Sequence, residues 1–209
     1  MSKLTLRIAV VVLVSLMAFQ AAVRVSAKGT GLSVAGTVLT QKCLAGNNNL
    51  AELRVRFEFT NNSSLPLILN KSDLEIETIK YFAFIDEKTD NVHLGQLAVD
   101  RLRGYLPEYD REITSSRPND HFVILRPRQS YAFEATESVP LIPASEPNPS
   151  AKLSNEYQVE FELATWVNHA EPLADSLRRR WARFGMLWTQ SVWSKPVKFA
   201  FPRKRTCEQ

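Results

Sequence analysis

The chain has few of the residues from which metal sites and catalytic sites are built. It contains only three histidines, His93, His121 and His169, and none of them stands in an H-E-x-x-H motif or at a zinc-binding spacing with cysteine. No serine lies in a G-x-S-x-G elbow, and the seven glycines form no phosphate-binding loop. The sequence therefore carries no catalytic signature, and it predicts no metal site and no cofactor.

Long apolar runs are also scarce, and the longest lies at the N-terminus. A basic start precedes apolar and small residues from Ile8 to Phe19, and the small residues Val25-Ser26-Ala27 follow. The run is short for a bilayer span, which needs about 20 apolar residues. We interpret residues 1–27 as a secretory signal peptide cleaved after Ala27, which makes the protein periplasmic or secreted. Retention as an uncleaved anchor is the alternative, because Arg24 is unusual beside a cleavage site.

Positive charge is lacking in the main part of the chain. The whole sequence has 26 Lys and Arg against 22 Asp and Glu, but three of the basic residues and none of the acidic ones precede residue 28. The remainder is almost neutral. Because nucleic-acid binding depends on neutralising many phosphates, the composition argues against a nucleic-acid partner.

Alternation of apolar and polar residues predicts a mainly β protein. The segments LRVRFEFT at 53–60 and YQVEFELATW at 157–166 place their apolar residues on one face of a strand. Further strand-like runs occupy 65–70, 81–85, 92–99, 122–125, 131–135 and 197–201, with polar turns between them, such as Asn61–Ser64 and Arg126–Gln129. Six to eight short strands predict an antiparallel sandwich in a single domain, 28–209.

Two segments depart from this rhythm. Residues 101–120 read as a long polar and aromatic insertion, and residues 139–150 hold four prolines and predict a loop without a regular ladder. Five residues of the insertion are candidates for binding because arginine and tyrosine are favoured in recognition surfaces: Arg101, Arg103, Tyr105, Tyr109 and Arg111. The alternative is a loop that only covers an open sheet edge.

The segments VRFEFTNNSSLPLIL, ILRPRQSYAF and EYQVEFELATW resemble immunoglobulin-like sandwiches of secreted bacterial proteins, including small proteinase-inhibitor domains. The resemblance departs from the inhibitor pattern where Arg128 follows Pro127 in place of glycine. In such sandwiches the first strand commonly runs parallel to the last, so the resemblance implies that Cys43 and Cys207 lie at the same pole. They are the only two cysteines, and in an exported chain they predict a disulfide, with two free thiols as the alternative.

The stretch LRRRWARFGMLW at 177–188 predicts an amphipathic helix over about 172–184. Leu173, Leu177, Trp181 and Phe184 fall on one narrow arc, as in a helix packed on a core, and Gly185 suits its end. Arginines surround the rest of the helix: Arg178, Arg179, Arg180 and Arg183. We expect Asp175 to pair with Arg179, one turn along. Contact with a membrane through this helix is the less favoured alternative.

Three asparagines, Asn61, Asn62 and Asn70, each begin an N-x-S sequence. These are glycan acceptors only in a host that glycosylates exported proteins, and otherwise they are turn residues.

The sequence favours a non-catalytic interaction module that binds a protein or a glycan in the cell envelope or the secreted space. One alternative is a hydrolase, for which His121 or His169 would have to meet two carboxylates in a deep cleft. The other alternative is a protease inhibitor, which only the resemblance suggests.

Overall fold

The computed structural model describes residues 31–44, 47–85, 91–99, 107–140, 153–167, 169 and 171–200. The predicted signal peptide lies outside them, as does Cys207. Residues from Leu32 onward belong to one compact unit. No helix within the described ranges has the length and apolar character required to cross a bilayer.

The described ranges hold eleven strands and two short helices, so the prediction of a mainly β protein is confirmed. In chain order they are β1 (Leu32–Leu44), β2 (Asn47–Asn61), β3 (Leu67–Asn70), β4 (Glu75–Ile85), β5 (Asn91–Ala98), α1 (Pro107–Ile113), β6 (Phe122–Leu125), β7 (Ser130–Pro140), β8 (Leu153–Ala164), α2 (Glu171–Trp181), β9 (Met186–Leu187), β10 (Val192–Trp193) and β11 (Val197–Ala200).

The strands form three sheets. The first has the order β1-β2-β7, the second has the order β10-β8-β4-β5 with β11 also paired to β8, and the third has the order β6-β3-β9. Pairing is antiparallel between all these strands except β3 and β9, which are parallel. The sheets are therefore mostly of the antiparallel kind that the alternating pattern predicted.

The main core lies where the apolar faces of the first two sheets meet. Every second residue of β2 from Leu53 to Phe59 is buried, and so is every second residue of β8 from Tyr157 to Leu163. The Phe57 ring meets the Phe161 ring edge-on with centroids 5.1 Å apart, a favourable aromatic geometry that joins the two sheets. The two clearest strands of the sequence thus contribute their apolar faces to one hydrophobic cluster.

β1 runs parallel to the C-terminal strands. Val34 forms a parallel bridge with Ser194, and Gln41 Nε2 donates a 2.6 Å hydrogen bond to the Ala200 carbonyl oxygen. The end of β1, which contains Cys43, therefore lies near the end of β11. Because Cys207 is outside the described residues, the disulfide stays a prediction.

A second, smaller core lies between α2 and the third sheet. It contains Ile68, Ile113, Phe122, Leu177, Trp181 and Leu187. β3 separates the two cores, because Leu67 and Leu69 belong to the main core while Ile68 faces the second one. All four residues of β3 are buried, which explains why LILN shows no alternation.

The predicted helix 172–184 is shorter than expected, since α2 ends at Trp181. The chain then turns, with the Phe184 amide donating to the Trp181 carbonyl at 2.7 Å, and Met186 donates to the Pro66 carbonyl at 2.9 Å. The helix therefore ends three residues before the expected end, and the chain pairs with β3 from Met186 onward. β9 and β10 lie between α2 and the last strand, where the sequence predicted none.

Both segments expected to be irregular contain regular structure. Within 101–120, residues Pro107–Ile113 form α1, whose last residue, Ile113, is fully buried in the second core. β7 continues into the segment 139–150, because Val139 is buried and pairs with Ala51 of β2. In each case, the hydrophobic free energy of burying one apolar side chain helps to offset the entropy lost when the segment is ordered.

Candidate functional site

Only part of the predicted binding surface lies within the described residues. Arg101, Arg103 and Tyr105 lie outside them, and so does the side chain of Tyr109. Arg111 is exposed on α1. The grouping of these five residues into one surface stays a prediction.

The insertion is attached to α2 directly after α1. The Ser115 carbonyl oxygen accepts a 3.1 Å hydrogen bond from Trp181 Nε1 and a 3.2 Å hydrogen bond from Arg180. Trp181 itself is fully buried and packs edge-on against Phe122, with ring centroids 4.8 Å apart. The same aromatic side chain therefore fills the second core and fixes the position of the insertion.

A second attachment is a polar cluster of Asp73, Asp110 and His169, which we call the His169 cluster. His169 Nδ1 lies 2.6 Å from Asp110 Oδ1, and His169 Nε2 lies 2.5 Å from Asp73 Oδ2. The three side chains are largely removed from solvent, with exposed fractions of 1% for His169, 5% for Asp73 and 15% for Asp110. The histidine thus bridges two carboxylates at its two ring nitrogens.

Three separate segments supply this cluster. Asp73 lies in the turn between β3 and β4, Asp110 lies in α1, and His169 lies just before α2. Asn70, at the end of β3, donates a 2.7 Å hydrogen bond from Nδ2 to Asp73 Oδ2, and the Trp166 ring packs on the imidazole at 4.3 Å between centroids. The cluster therefore holds the insertion to the body of the domain.

The charges of the cluster favour a protonated histidine. Burial alone would lower the pKa of His169, but the hydrogen bonds and the negative charges of Asp73 and Asp110 outweigh it and raise the pKa above 6.5. With a proton on each nitrogen, the ring donates one hydrogen bond to each carboxylate.

The His169 cluster meets one condition for a hydrolase and fails another. It brings a histidine to two carboxylates, but a general base needs a free ring nitrogen within reach of substrate. Both nitrogens of His169 face carboxylates, and the side chain is 1% exposed. Among the residues that the structure describes, no group of His, Cys, Asp and Glu is arranged to hold a metal ion.

A second histidine contact lies nearby on the surface. Ser72 Oγ is 3.1 Å from His121 Nδ1, and His121 Nε2 is 3.9 Å from Glu112 Oε2. The carboxylate is too distant for a hydrogen bond that would orient the ring. Glu112 is also 62% exposed, so water screens its charge.

The sequence offered no signal for either histidine contact. Asp73 and His169 are 96 residues apart, and Ser72 and His121 are 49 residues apart. Short motifs detect sites whose residues lie on one element. Here the contacts arise only when turns from different parts of the chain meet.

The arginines of α2 differ from expectation in one pairing. Asp175 binds Arg178 at 2.9 Å, three residues along, whereas the sequence predicted Arg179. Arg178 also donates to Thr189 Oγ1, beyond the end of the helix, which draws its side chain along α2. Arg179 and Arg183 form no ion pair with any described residue, and the Arg183 guanidinium lies over the Phe184 ring.

Two of the three N-x-S asparagines are engaged inside the fold. Asn61 is fully buried and donates to the carbonyl oxygens of Leu65 and Leu125 at 2.9 and 2.8 Å. Asn70 is fully buried and donates to Asp73 of the His169 cluster. Asn62 is exposed. In the folded protein, only Asn62 presents its side chain to the surface.

Comparison with known proteins adds no family. No family model matches the chain, and no curated protein matches its sequence. Among solved structures, the chain is similar to structural-genomics target SoR45, with 11% identity over 85% of this chain and 91% of that one and a TM-score of 0.30.

Two structures of a beta-glucuronidase from Bacteroides uniformis are also similar. One is beta-glucuronidase 2 bound covalently to cyclophellitol-6-carboxylate aziridine, with 13% identity and a TM-score of 0.28. The other has 14% identity and a TM-score of 0.27. Each likeness covers 82% of this chain and 13% of the larger protein. At these TM-scores the likenesses carry no weight for fold family or function.

Proposed function

We propose that this protein is an exported, immunoglobulin-like sandwich that acts as a non-catalytic interaction module, binding a protein or a glycan in the cell envelope or the secreted space. Its proposed binding surface is the insertion 101–120, with Arg101, Arg103, Tyr105, Tyr109 and Arg111. The observation that carries the proposal is the way this insertion is held to the domain.

The insertion is attached at three points, and each uses buried groups. Ile113 packs in the second core, Ser115 accepts a hydrogen bond from buried Trp181, and Asp110 contacts His169. A surface segment that is already ordered loses less conformational entropy on binding, so more of its contact energy appears as affinity. Arg111, on the same short helix, remains exposed for a partner.

The charge beside the insertion favours a partner with acidic groups. Arg117 is exposed and lies two residues after Ser115, the residue whose carbonyl oxygen is hydrogen-bonded to α2. Arg117 and Arg179 form no ion pair with any described residue, so their guanidinium groups are available for carboxylate, sulfate or phosphate. An acidic protein segment and an acidic glycan both fit this chemistry.

The hydrolase remains the second candidate, since His121 contacts Ser72 with Glu112 beyond it. A reactive serine of this kind would be labelled by a fluorophosphonate probe, and Ser72→Ala would remove the label. We expect no labelling of Ser72, because the Glu112 carboxylate lies 3.9 Å from His121 Nε2, too far for a hydrogen bond that would orient the ring. Titration against serine and cysteine proteases tests the inhibitor alternative, and we expect no loss of protease activity.

The binding proposal is tested by affinity capture with the secreted protein. Wild type is compared with Arg111→Ala/Arg117→Ala on native envelope fractions, and on immobilised heparin as a defined polyanion with neutral dextran as its blank. The matched control is Arg54→Ala/Arg56→Ala, which removes two exposed arginines from β2. We expect the first double variant to lose heparin retention and at least one captured partner.

The proposal that the insertion 101–120 is the binding surface would be disproved if wild type and the variants recovered every partner equally. The variants compared are Arg111→Ala/Arg117→Ala and Arg101→Ala/Arg103→Ala/Tyr105→Ala. An equal loss in the β2 control would show that net charge, rather than this surface, causes the retention.

A further inference from the structure

We propose that the His169 cluster is a proton-dependent anchor, which holds the α1 insertion against the domain while both ring nitrogens of His169 carry a proton and releases it as the pH rises. As a form of regulation this rests on the proposed function, because the released segment is the proposed binding surface. As a conformational property of the chain it is measured without any partner.

The anchor acts on a helix that needs outside support. α1 has seven residues, and isolated helices shorter than about 12 residues are marginal in water. Its order therefore depends on its attachments, and Asp110 supplies a charged one. When this contact weakens, Ile113 and Ser115 remain to hold the C-terminal end of α1, while the rest of the helix has lost a buried partner.

The number of protons decides whether the anchor is complete. The two contacts of His169, at 2.6 Å and 2.5 Å, are both hydrogen bonds only when each ring nitrogen carries a proton. After one proton is lost, a nitrogen lone pair faces a carboxylate oxygen. Because the imidazole side chain is 1% exposed, water has little access to separate the two, and the contact becomes repulsive.

The two carboxylates that the described residues place against the ring act in the same direction. The Asp73 carboxylate faces it from the β3–β4 turn, and the Asp110 carboxylate faces it from α1. The Trp166 ring, from the segment after β8, packs against it, and Asn70 donates to Asp73 rather than to the histidine. The two charged groups that the described residues place against the ring, Asp73 and Asp110, are both negative, and so both favour the cationic ring.

The direction of the pH dependence follows from the same balance. Burial lowers the pKa of His169, the two carboxylates raise it by more, and the folded value lies above 6.5. A raised pKa stabilises the folded contact fully below the unfolded value, and this contribution is lost as the pH rises through the folded value. The anchor is therefore complete at about pH 6 and weakens on the alkaline side.

Hydrogen–deuterium exchange of α1 tests the anchor. Protection factors for residues 108–113, corrected for intrinsic exchange, are measured on the secreted protein from about pH 5.5 to about pH 9. In wild type we expect protection to fall with rising pH, by up to tenfold for each pH unit between the unfolded and folded pKa values of His169. Amides of β2 and β8 serve as the internal reference.

Two variants assign the effect to the cluster. His169→Gln is expected to lower α1 protection at the acidic end of the range, to about the level that wild type reaches at the alkaline end, and to abolish its pH dependence. His121→Gln, the matched control, is expected to keep the wild-type profile. Asp110→Asn removes the charge that α1 contributes and leaves the rest of the cluster in place, so it tests the anchor even when His169→Gln does not fold. We expect Asp110→Asn to reduce the slope of the profile.

A flat wild-type profile, or loss of the pH dependence in His121→Gln, would overturn the anchor. Nitrogen NMR of the imidazole gives an independent reading, because two protonated nitrogens are expected at the acidic end of this range and a neutral ring there would contradict the proposal. The two proposals can be disproved separately. The capture experiment tests the binding surface, whereas hydrogen–deuterium exchange tests the anchor, whatever the capture experiment finds.

Discussion

Trp181→Ala is the substitution that most directly tests how α2 is packed. The indole is fully buried, lies edge-on to Phe122 and donates through Nε1 to the Ser115 carbonyl oxygen. Alanine removes the ring and the donor while it favours the helix backbone. The substitution therefore measures core packing and one hydrogen bond, with no penalty from helix propensity.

The expected magnitude follows from the buried area. A tryptophan side chain buries about 150–250 Å², and at about 25 cal/mol per Å² its removal costs about 4–6 kcal/mol. Loss of the hydrogen bond adds little, since Arg180 also donates to the Ser115 carbonyl oxygen and leaves it with a partner. Measured truncations of this kind cost about 3–5 kcal/mol, and we expect a value in that range.

The assay is urea unfolding followed by far-ultraviolet circular dichroism, with the free energy of unfolding extrapolated to water. Trp181→Phe keeps an aromatic ring and is expected to lose about 1–2 kcal/mol. Arg179→Ala, on the exposed side of the same helix, should change stability by less than about 0.5 kcal/mol.

A loss below about 1.5 kcal/mol for Trp181→Ala, with an unchanged slope, would refute the packed-helix interpretation. It would mean that the tryptophan is not part of the core, and contact of α2 with a membrane or a partner would regain support. A loss that equals that of Arg179→Ala would have the same meaning.

Three further changes probe the backbone and the cysteines. Gly185→Ala should destabilise the protein by about 1–3 kcal/mol, because Gly185 has a φ of +149° and a Cβ there would lie 2.6 Å from the Pro66 carbonyl oxygen. Urea unfolding measures the change, and an unchanged midpoint would contradict the close contact. Arg128→Gly should leave stability unchanged or raise it by up to about 1 kcal/mol, since Arg128 has a φ of 67° that glycine adopts without strain. Thermal unfolding checks this: a higher unfolding temperature supports the prediction, and a lower one argues against it. Cys43 and Cys207 should yield no free thiol before reduction, and Cys43→Ser should cost up to about 4–5 kcal/mol; free thiol in the native secreted protein would disprove the bridge.

The elements that could be predicted best from the sequence are those with one solvent-exposed face and one buried face. β2 and β8 alternate because solvent lies on one side and the main core on the other, so their period can be read from the residues alone. The buried arc of α2 was predictable for the same reason, as Leu177 and Trp181 show. The turn at Arg126–Gln129 was likewise predictable from local chemistry, and the Gln129 amide donates to the Arg126 carbonyl at 2.9 Å.

Elements that are buried on both faces, or that contain few apolar residues, were harder to predict. β3 is buried on both sides and therefore carries no alternation, and β9 has only two residues. Among the side chains of α1 that the structure describes, 110–113, only Ile113 contributes to the second core. The boundary of α2 depended on pairing of Met186 with Pro66, which lies far away in the chain.

The sequence by itself determined the class of fold, the two dominant strands and the buried face of α2, because side-chain periodicity records which face of an element avoids water. Only the tertiary structure decided that Asp73, Asp110 and His169 meet, that α1 is held to α2 through Ser115, and that Asp175 pairs with Arg178. These contacts join segments that are distant in sequence or depend on the position of a neighbouring loop. Local pattern carries no information about such distances, so the anchor of the proposed binding surface was visible only in the folded chain.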